Sequence, residues 1–341
     1  MNPSGTFSHD VQETLEIVEK IERQVDQVIV GQAYLIRHLL MGLFTKIAYG
    51  FKRGGVERSG GGHVILEGVP GVAKTLAVLA IANSIQAQFQ RIQFSPDLMP
   101  ADIVGTRVYD ATLGNFRVEK GPIFANVILA DEINRATQKT QSALLEAMQE
   151  RQVTIGDATF QLAEPFWVLA TQNPVEQEGV YPLPEAQLDR FAMMLKVGYP
   201  EKQHELEMLD LAMEKTEVAP VIGPEEVVAI RDQIHRIYVH PRIREYVVRL
   251  GRATRASGDE TLPVVREMIQ HGASPRSYHH LLSLARTAAF FEGRDCVLPE
   301  DVKAVVIDCW QHRLIRTIQA EAENVGTEQI LQEVLDRTPI P

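Results

Sequence analysis

Short, wholly apolar runs alternate with stretches of helical spacing through the first part of the chain. Residues 63–67 (HVILE), 89–94, 127–130 (VILA), 166–170 (FWVLA) and 193–197 (MMLKV) each have strand length. Strict period-2 alternation marks a strand with one wet face, whereas an uninterrupted apolar run implies burial on both faces. Between these runs lie amphipathic segments, including 76–87 and 138–150, which read as helices. Strands buried on both faces and separated by helices predict an α/β domain built on a parallel sheet flanked by helices.

The N-terminal part reads as two helices. Val11, Leu15, Val18, Ile21 and Val25 recur at helical spacing over 10–26, and a second helix is expected over 33–49. The glycine-rich segment 50–63 reads as a loop. Two hairpins interrupt the alternation, one around Gly114 (within 107–119) and one around Gly156 (within 152–161). Each places glycine where a tight turn needs positive φ. Beyond residue 200 the strand pattern stops. Residues 201–217, 224–237, 243–256, 277–291 and 299–313 read as helices, with 218–223 as a loop or hinge and 264–274 unassigned. The expected organisation is an α/β domain over 1–199 and a second, smaller all-α domain over 200–341.

Composition narrows the class. The chain has 341 residues, long enough for two domains, and carries 34 basic against 45 acidic side chains, a net charge of −11. That balance disfavours a phosphate-binding surface, so nucleic acid is not the expected partner. Two cysteines, Cys296 and Cys309, lack disulfide or zinc spacing and read as small core residues. No apolar run approaches the ~20 residues that span a bilayer. The first residues lack the basic and apolar blocks of a leader, so a cytoplasmic protein is expected.

The chemistry concentrates in a few segments. Gly68-Val69-Pro70-Gly71-Val72-Ala73-Lys74-Thr75 lies between a strand and a helix. Such a loop curls backbone N–H groups round a phosphate, with the lysine reaching the β/γ-phosphates and the threonine hydroxyl ligating Mg²⁺. Ala73 stands where the pattern has glycine; a methyl costs little there if its φ is already helical. Asp131 and Glu132 end a buried strand, where Asp131 would hold the metal and Glu132 would polarise the attacking water. Asn173 follows the next buried strand and either positions water beside the γ-phosphate or forms a turn before Pro174. Arg190, in Gln187-Leu188-Asp189-Arg190-Phe191, either neutralises transition-state charge in a neighbouring subunit or is a solvated surface arginine. Ser274 and Pro275 fit the cap and first position of a helix, which puts Arg276 on the first turn, an unfavourable place for a cation. That misfit suggests a task such as contacting the γ-phosphate. His279 and His280 are adjacent, share no helix face and read as ordinary histidines, not metal ligands.

Taken together, these residues resemble the MoxR family of AAA+ ATPases. The likeness runs from Ile29-Val30-Gly31-Gln32 through 65–75, 94–102, 121–136 (GPIFANVILADEINRA), 170–174 and 181–191 (YPLPEAQLDRF) to 272–277 (GASPRS). The resemblance implies an AAA+ P-loop core with an all-α lid, and Mg-ATP as the ligand. It implies Val30, Gly31 and Gln32 beside the adenine, and Val69 to Leu76 as the phosphate loop, including Lys74 and Thr75 (Walker A). Asp131 and Glu132 match Walker B, Asn173 sensor 1, Arg190 the arginine finger and Arg276 sensor 2. Arg135 is similar to an additional inter-subunit arginine. The two hairpins resemble the helix-2 insert and the pre-sensor-1 hairpin. The family also implies a ring, commonly hexameric, and chaperone-like maturation or metal-cofactor insertion in a client complex. A partner with a von Willebrand factor A domain is implied too. A nucleic-acid translocase with a helix-2 insert, a magnesium-chelatase-like subunit and a slow nucleotide-gated binding module are the alternatives.

Overall fold

The computed structural model describes residues 9–53, 56–68, 74–112, 114–173, 179–211, 218–258 and 261–341. The five apolar runs form one sheet: β1 (Val64–Gly68), β2 (Phe89–Gln93), β3 (Val127–Asp131), β4 (Trp167–Gln172) and β5 (Met193–Val197), in the order β5-β1-β4-β3-β2. Every pairing is parallel. The chain leaves β1, crosses to the far edge and returns strand by strand, and the connection from β4 to β5 passes over β1. The reversal of strand order beside β1 is the crevice where ligands lie in open α/β sheets.

The continuous apolar runs are explained by two-sided burial. Leu66, Leu129, Leu169 and Leu195 face a core shared with α1 (His9–Asp26), α2 (Ala33–Phe44) and α3 (Lys74–Ser84). Ile65, Ile128, Val168 and Met194 face a second core with Leu144 and Met148 of α4 (Gln138–Glu150). The first core continues without a break into the C-terminal helices α5 (Pro224–His235), α6 (Pro241–Ala253), α7 (Pro275–Phe291) and α8 (Pro299–Trp310). Polar contacts reinforce that seam. The buried Arg231 of α5 donates at 2.6 Å to the carbonyl of Leu43, and Thr14 donates at 2.9 Å to Gln233.

Two expectations need correction. The second helix ends at Phe44, and residues 46–53 and 56–61, expected as helix end and loop, form an antiparallel hairpin with Lys46 opposite Gly61. Thr45 stops the helix. It is extended (φ −77°, ψ 129°), and its hydroxyl donates back to the carbonyl of Met41 at 2.7 Å, a side-chain bond that competes with the helical ladder. The unassigned stretch 264–274 resolves into a short helix, Pro263–Met268, and a strand, Ile269–His271, paired with Ile315–Arg316. A final helix, Thr327–Arg337, was not expected. The other two hairpins stand where read, at Gly105–Asp110 with Asn115–Lys120 and at Gln152–Ile155 with Ala158–Gln161. Gly114 and Gly156 have φ of 63° and 65°. Arg107 of one hairpin donates to Asp157 of the other at 2.9 Å.

Gly62 and His63 lead into β1 through a crowded space. A Cβ on Gly62 would lie 2.3 Å from the carbonyl oxygen of Gly42. Gly62→Ala is therefore expected to lower unfolding stability by roughly 1–3 kcal/mol, read by urea melts. His63 is fully enclosed, and its Nδ1 accepts the backbone N–H of Val168 at 3.0 Å. Burial, followed by the nearby Arg151 and Arg231, lowers its pKa from 6.5 to about 3. The folded chain then refuses a proton that the unfolded chain takes below pH 6.5, so stability falls as pH drops through that value. For this residue the loss from pH 7 to pH 5 is about 2 kcal/mol. His63→Asn, whose amide oxygen can accept the same N–H, is expected to flatten that part of the pH profile of unfolding.

Candidate active site

Because β3 is apolar on both faces, its first polar residues emerge only at the carboxyl edge of the sheet. There Asp131 and Glu132 stand next to β4. Glu132 takes φ 55° and ψ 49°, the left-handed region, which costs a residue with a Cβ roughly 1–3 kcal/mol. The buried Thr171 of β4 holds this bend. Its hydroxyl donates to Asp131 Oδ1 at 2.6 Å and accepts the backbone N–H of Glu132 at 2.8 Å. One hydroxyl thus fixes both the aspartate side chain and the backbone that aims the glutamate.

The other side of the pair is set by β2, in register with β3 so that Gln93 lies opposite Asp131. Arg91 and Gln93, two residues apart, share a face of the strand. Arg91 donates to Asp131 Oδ2 from Nε at 3.0 Å and from Nη2 at 2.5 Å. Gln93 Nε2 donates to Glu132 Oε2 at 2.7 Å. Arg135, one turn on, reaches the same Oε2 at 3.3 Å. Both carboxylates are therefore held by donors of their own chain, Arg135 among them.

Lys74, at the beginning of α3, faces them. Its Nζ donates to the carbonyl of Gly68 at 2.7 Å. Burial lowers its pKa, and the negative charges of Asp131 and Glu132 pull in the opposite direction. Thr75 follows, half-buried, and Leu76 is exposed. Val69, Pro70, Gly71, Val72 and Ala73 lie outside the described residues. Asn173 is half-buried one residue past β4. Since Gln172 pairs with Glu67, Asn173 stands level with Gly68, the first residue of the glycine-containing segment 68–75.

Val30, Gly31 and Gln32 make the turn between α1 and α2. Gly31 has φ 73°, and a Cβ there would lie 2.5 Å from His204 Cγ, so glycine is required both by the backbone and by the imidazole packed on it.

Arg190 and Arg276 belong to a second cluster. Burial lowers the pKa of Arg190, the neighbouring charge of Arg276 lowers it further, and Glu146 and Glu150 oppose them. Ser274 caps α7 as expected, accepting the N–H of Ser277 at 3.4 Å, and Pro275 takes the first position. This leaves the exposed Arg276 on the first turn, near Arg190. Cys309 is buried and Cys296 partly so. Among the described residues no cluster of three or more His, Cys, Asp or Glu forms a metal cage, and no helix is long and apolar enough to cross a membrane.

Arg91, Gln93, Thr171 and His204 were not singled out from the sequence. Arg91 and Gln93 carried a usable signal, two polar residues at a spacing of two on a strand next to the acidic pair. The bond from Thr171 and the packing of His204 depend on contacts between distant segments and leave no local trace.

This geometry is matched by known proteins. Residues 63–193 match the family described as "ATPase family associated with various cellular activities (AAA)", and residues 263–334 match the "AAA lid domain". Chaperone MoxR1 of Mycobacterium tuberculosis is 43% identical over 328 residues, 95% of this chain and 83% of its own length. Protein MoxR of Methylorubrum extorquens is 31% identical, covering 94% of each chain. The chain belongs to the MoxR family of AAA+ ATPases. A candidate ATPase from Cytophaga hutchinsonii has the same fold, with a TM-score of 0.87 and 43% identity over 97% of each chain. This MoxR-family member is thus an ATPase with an AAA core and an AAA lid.

Thr171→Val keeps the volume but removes the hydroxyl, leaving the Glu132 N–H unpaired and Asp131 without one donor. Turnover is expected to fall by about 10²-fold, as misaimed catalytic groups cause. Stability should fall by only about 1–3 kcal/mol. Steady-state phosphate release and urea unfolding separate the two, and unchanged turnover would remove Thr171 from the site.

Proposed function

We propose that this chain hydrolyses Mg-ATP at sites shared between the subunits of a six-membered ring, to remodel a client protein complex. The observation that carries this reading is the separation of charges. Lys74, Asp131 and Glu132 stand by the ends of β1 and β3, whereas Arg190 precedes β5 on a segment whose Asp189 and Phe191 are bonded to Arg313, with Arg276 as the neighbouring charge. The arginines that would neutralise transition-state charge thus sit in a different neighbourhood from the phosphate-facing lysine, which suits donation to a neighbouring subunit.

In this mechanism the triphosphate would lie over residues 68–75, with Val69, Gly71, Val72 and Ala73 offering backbone N–H groups and Lys74 turning from Gly68 to the β/γ-phosphates. Val30, Gly31, Gln32 and Leu76 border the base. The Thr75 hydroxyl and Asp131 are a hard-oxygen pair suited to Mg²⁺, which usually takes one or two protein ligands beside phosphates and water. When bound, the metal supplies charge neutralisation at the phosphates. Asp131 must exchange Arg91 for that role. Glu132, released by Gln93 and Arg135, polarises the attacking water, and Asn173 orients it. Arg190 and Arg276 of the neighbour stabilise the developing charge. Arg135 acts in the same interface. Residues 1–199 form the nucleotide domain and 200–341 the lid, and loss of the γ-phosphate moves the lid and the hairpins.

The client is reached through those hairpins, and a von Willebrand factor A-domain protein is the proposed co-factor in the cytoplasm. A nucleic-acid client is disfavoured because the Gly114 hairpin offsets Arg117 and Lys120 with Asp110 and Glu119. Arg107 is engaged by Asp157, and Lys120 lies 4.8 Å above the Phe124 ring and 5.4 Å above that of Phe160.

Glu132→Gln subunits keep the arginine, and Arg190→Ala subunits keep the glutamate. Each alone is expected to lose roughly 10³-fold or more in turnover. Mixed, they should regain activity, because some interfaces then pair an intact Glu132 with an intact Arg190. No recovery on mixing would defeat action between subunits.

A further inference from the structure

The sequence Gln311-His312-Arg313, just past the end of α8, lies on the segment that carries Arg190. Gln311 Nε2 donates to the carbonyl of Met194 at 2.7 Å. His312 Nε2 lies 3.3 Å from the carbonyl of Phe191. Arg313 does most. Its Nε donates to Asp189 Oδ1 at 2.9 Å, and its Nη2 donates to the carbonyl of Phe191 at 2.5 Å and more weakly to that of Asp189 at 3.4 Å. These are the residues on either side of Arg190. The Arg313 side chain is only 2% exposed, against 22% for Asp189.

The same guanidinium reaches the lid helix that carries the second arginine. Nη2 lies 2.7 Å from His280 Nδ1. Arginine can only donate, so Nδ1 must accept, and the imidazole is neutral with its proton on Nε2. Burial, with Arg313 next, holds the His280 pKa well below its ordinary value, which agrees with that form. His280 is four residues beyond Arg276 on α7, hence on the same helix face. A remaining nitrogen, Nη1, donates to the carbonyl of Cys309 on α8. One buried cation therefore ties together the Arg190 segment, the Arg276 helix and the end of α8.

We infer that Arg313 is a positioning residue for ATP hydrolysis, setting the Arg190 and Arg276 side chains as one unit offered to the neighbouring subunit. A purely structural strut would need no such convergence on the two flanks of one residue and the helix face of another. Replacing Arg313 leaves the nucleotide-facing residues of its own chain in place, because Lys74, Asp131, Thr171 and Glu132 make none of these contacts. It loosens the arginines by the order of an ångström, a displacement that costs about 10²-fold in turnover. The inference rests on the between-subunit reading above.

The test is a set of mixing experiments with full-length chains. Arg313→Gln alone is expected to lose about 10²-fold in kcat while binding a fluorescent ATP analogue as tightly as the wild type. Mixed with Glu132→Gln subunits it should regain activity, since its own Glu132 then meets a well-placed Arg190 from the partner. If Arg190→Ala recovers with Glu132→Gln but Arg313→Gln does not, the positioning role is overturned and the between-subunit reading stands. If neither recovers, the between-subunit reading fails and this inference with it. Should Arg313→Gln not fold, Asp189→Ala removes the more exposed end of the same contact. It is expected to show the same recovery on mixing with a smaller drop alone, and an undiminished kcat would overturn the role.

Discussion

The register of the parallel sheet is the constraint on which the rest depends. Ala170 pairs with Ala130, Gln172 with Glu67 and Gln93 with Asp131. That registration brings the ends of β1, β2, β3 and β4 to one edge, where the hydroxyl of Thr171 holds both residues at the end of β3. A one-residue slip would turn every side chain of a strand to the other face. It would turn Thr171 to the face of Ile128 and leave Asp131 with Arg91 alone. Register is secured because both faces are buried, each against a different core, so a slip exchanges one packed surface for another of the wrong shape.

On that frame the charges divide into two groups. Lys74, Asp131 and Glu132 gather at the strand ends, with Arg91, Gln93 and Arg135 holding the carboxylates in the state the structure displays. Arg190 and Arg276 gather where the lid meets the segment before β5, with Glu146 and Glu150 beside them. The lid is no appendage here. It shares the first apolar core with α1, α2 and one sheet face, and Gln311 and Arg313 donate to backbone carbonyls of the core domain. The lid is thus tied to the core domain both by packed surfaces and by the Arg313 cluster.

Much of the fold was legible because its signals are local. Continuous apolar runs report two-sided burial, glycine at 114 and 156 reports a turn needing positive φ, and Ser274-Pro275 reports a helix start. The hairpin at residues 46–61 was misread because Ile47, Ala48 and Tyr49 continue the apolar density of α2, and the stop at Thr45 is a side-chain bond, not a proline or glycine. The stretch 264–274 was left open because its strand pairs with Ile315–Arg316, far along the chain.

The site divides in the same way. The sequence by itself determined which groups are present and in what order, the phosphate loop, the acidic pair after a buried strand, the asparagine after the next, and the two arginines, because each is anchored to a neighbour in sequence by strand or helix geometry. Only the tertiary structure decided what holds them. Thr171 bends Glu132 into the left-handed region, Arg91 and Gln93 engage the carboxylates, His204 packs on Gly31, and Arg313 binds the two flanks of Arg190 to the helix of Arg276. Those contacts join residues 33 to 173 positions apart, and long-range contacts of this kind depend on packing that no local pattern encodes.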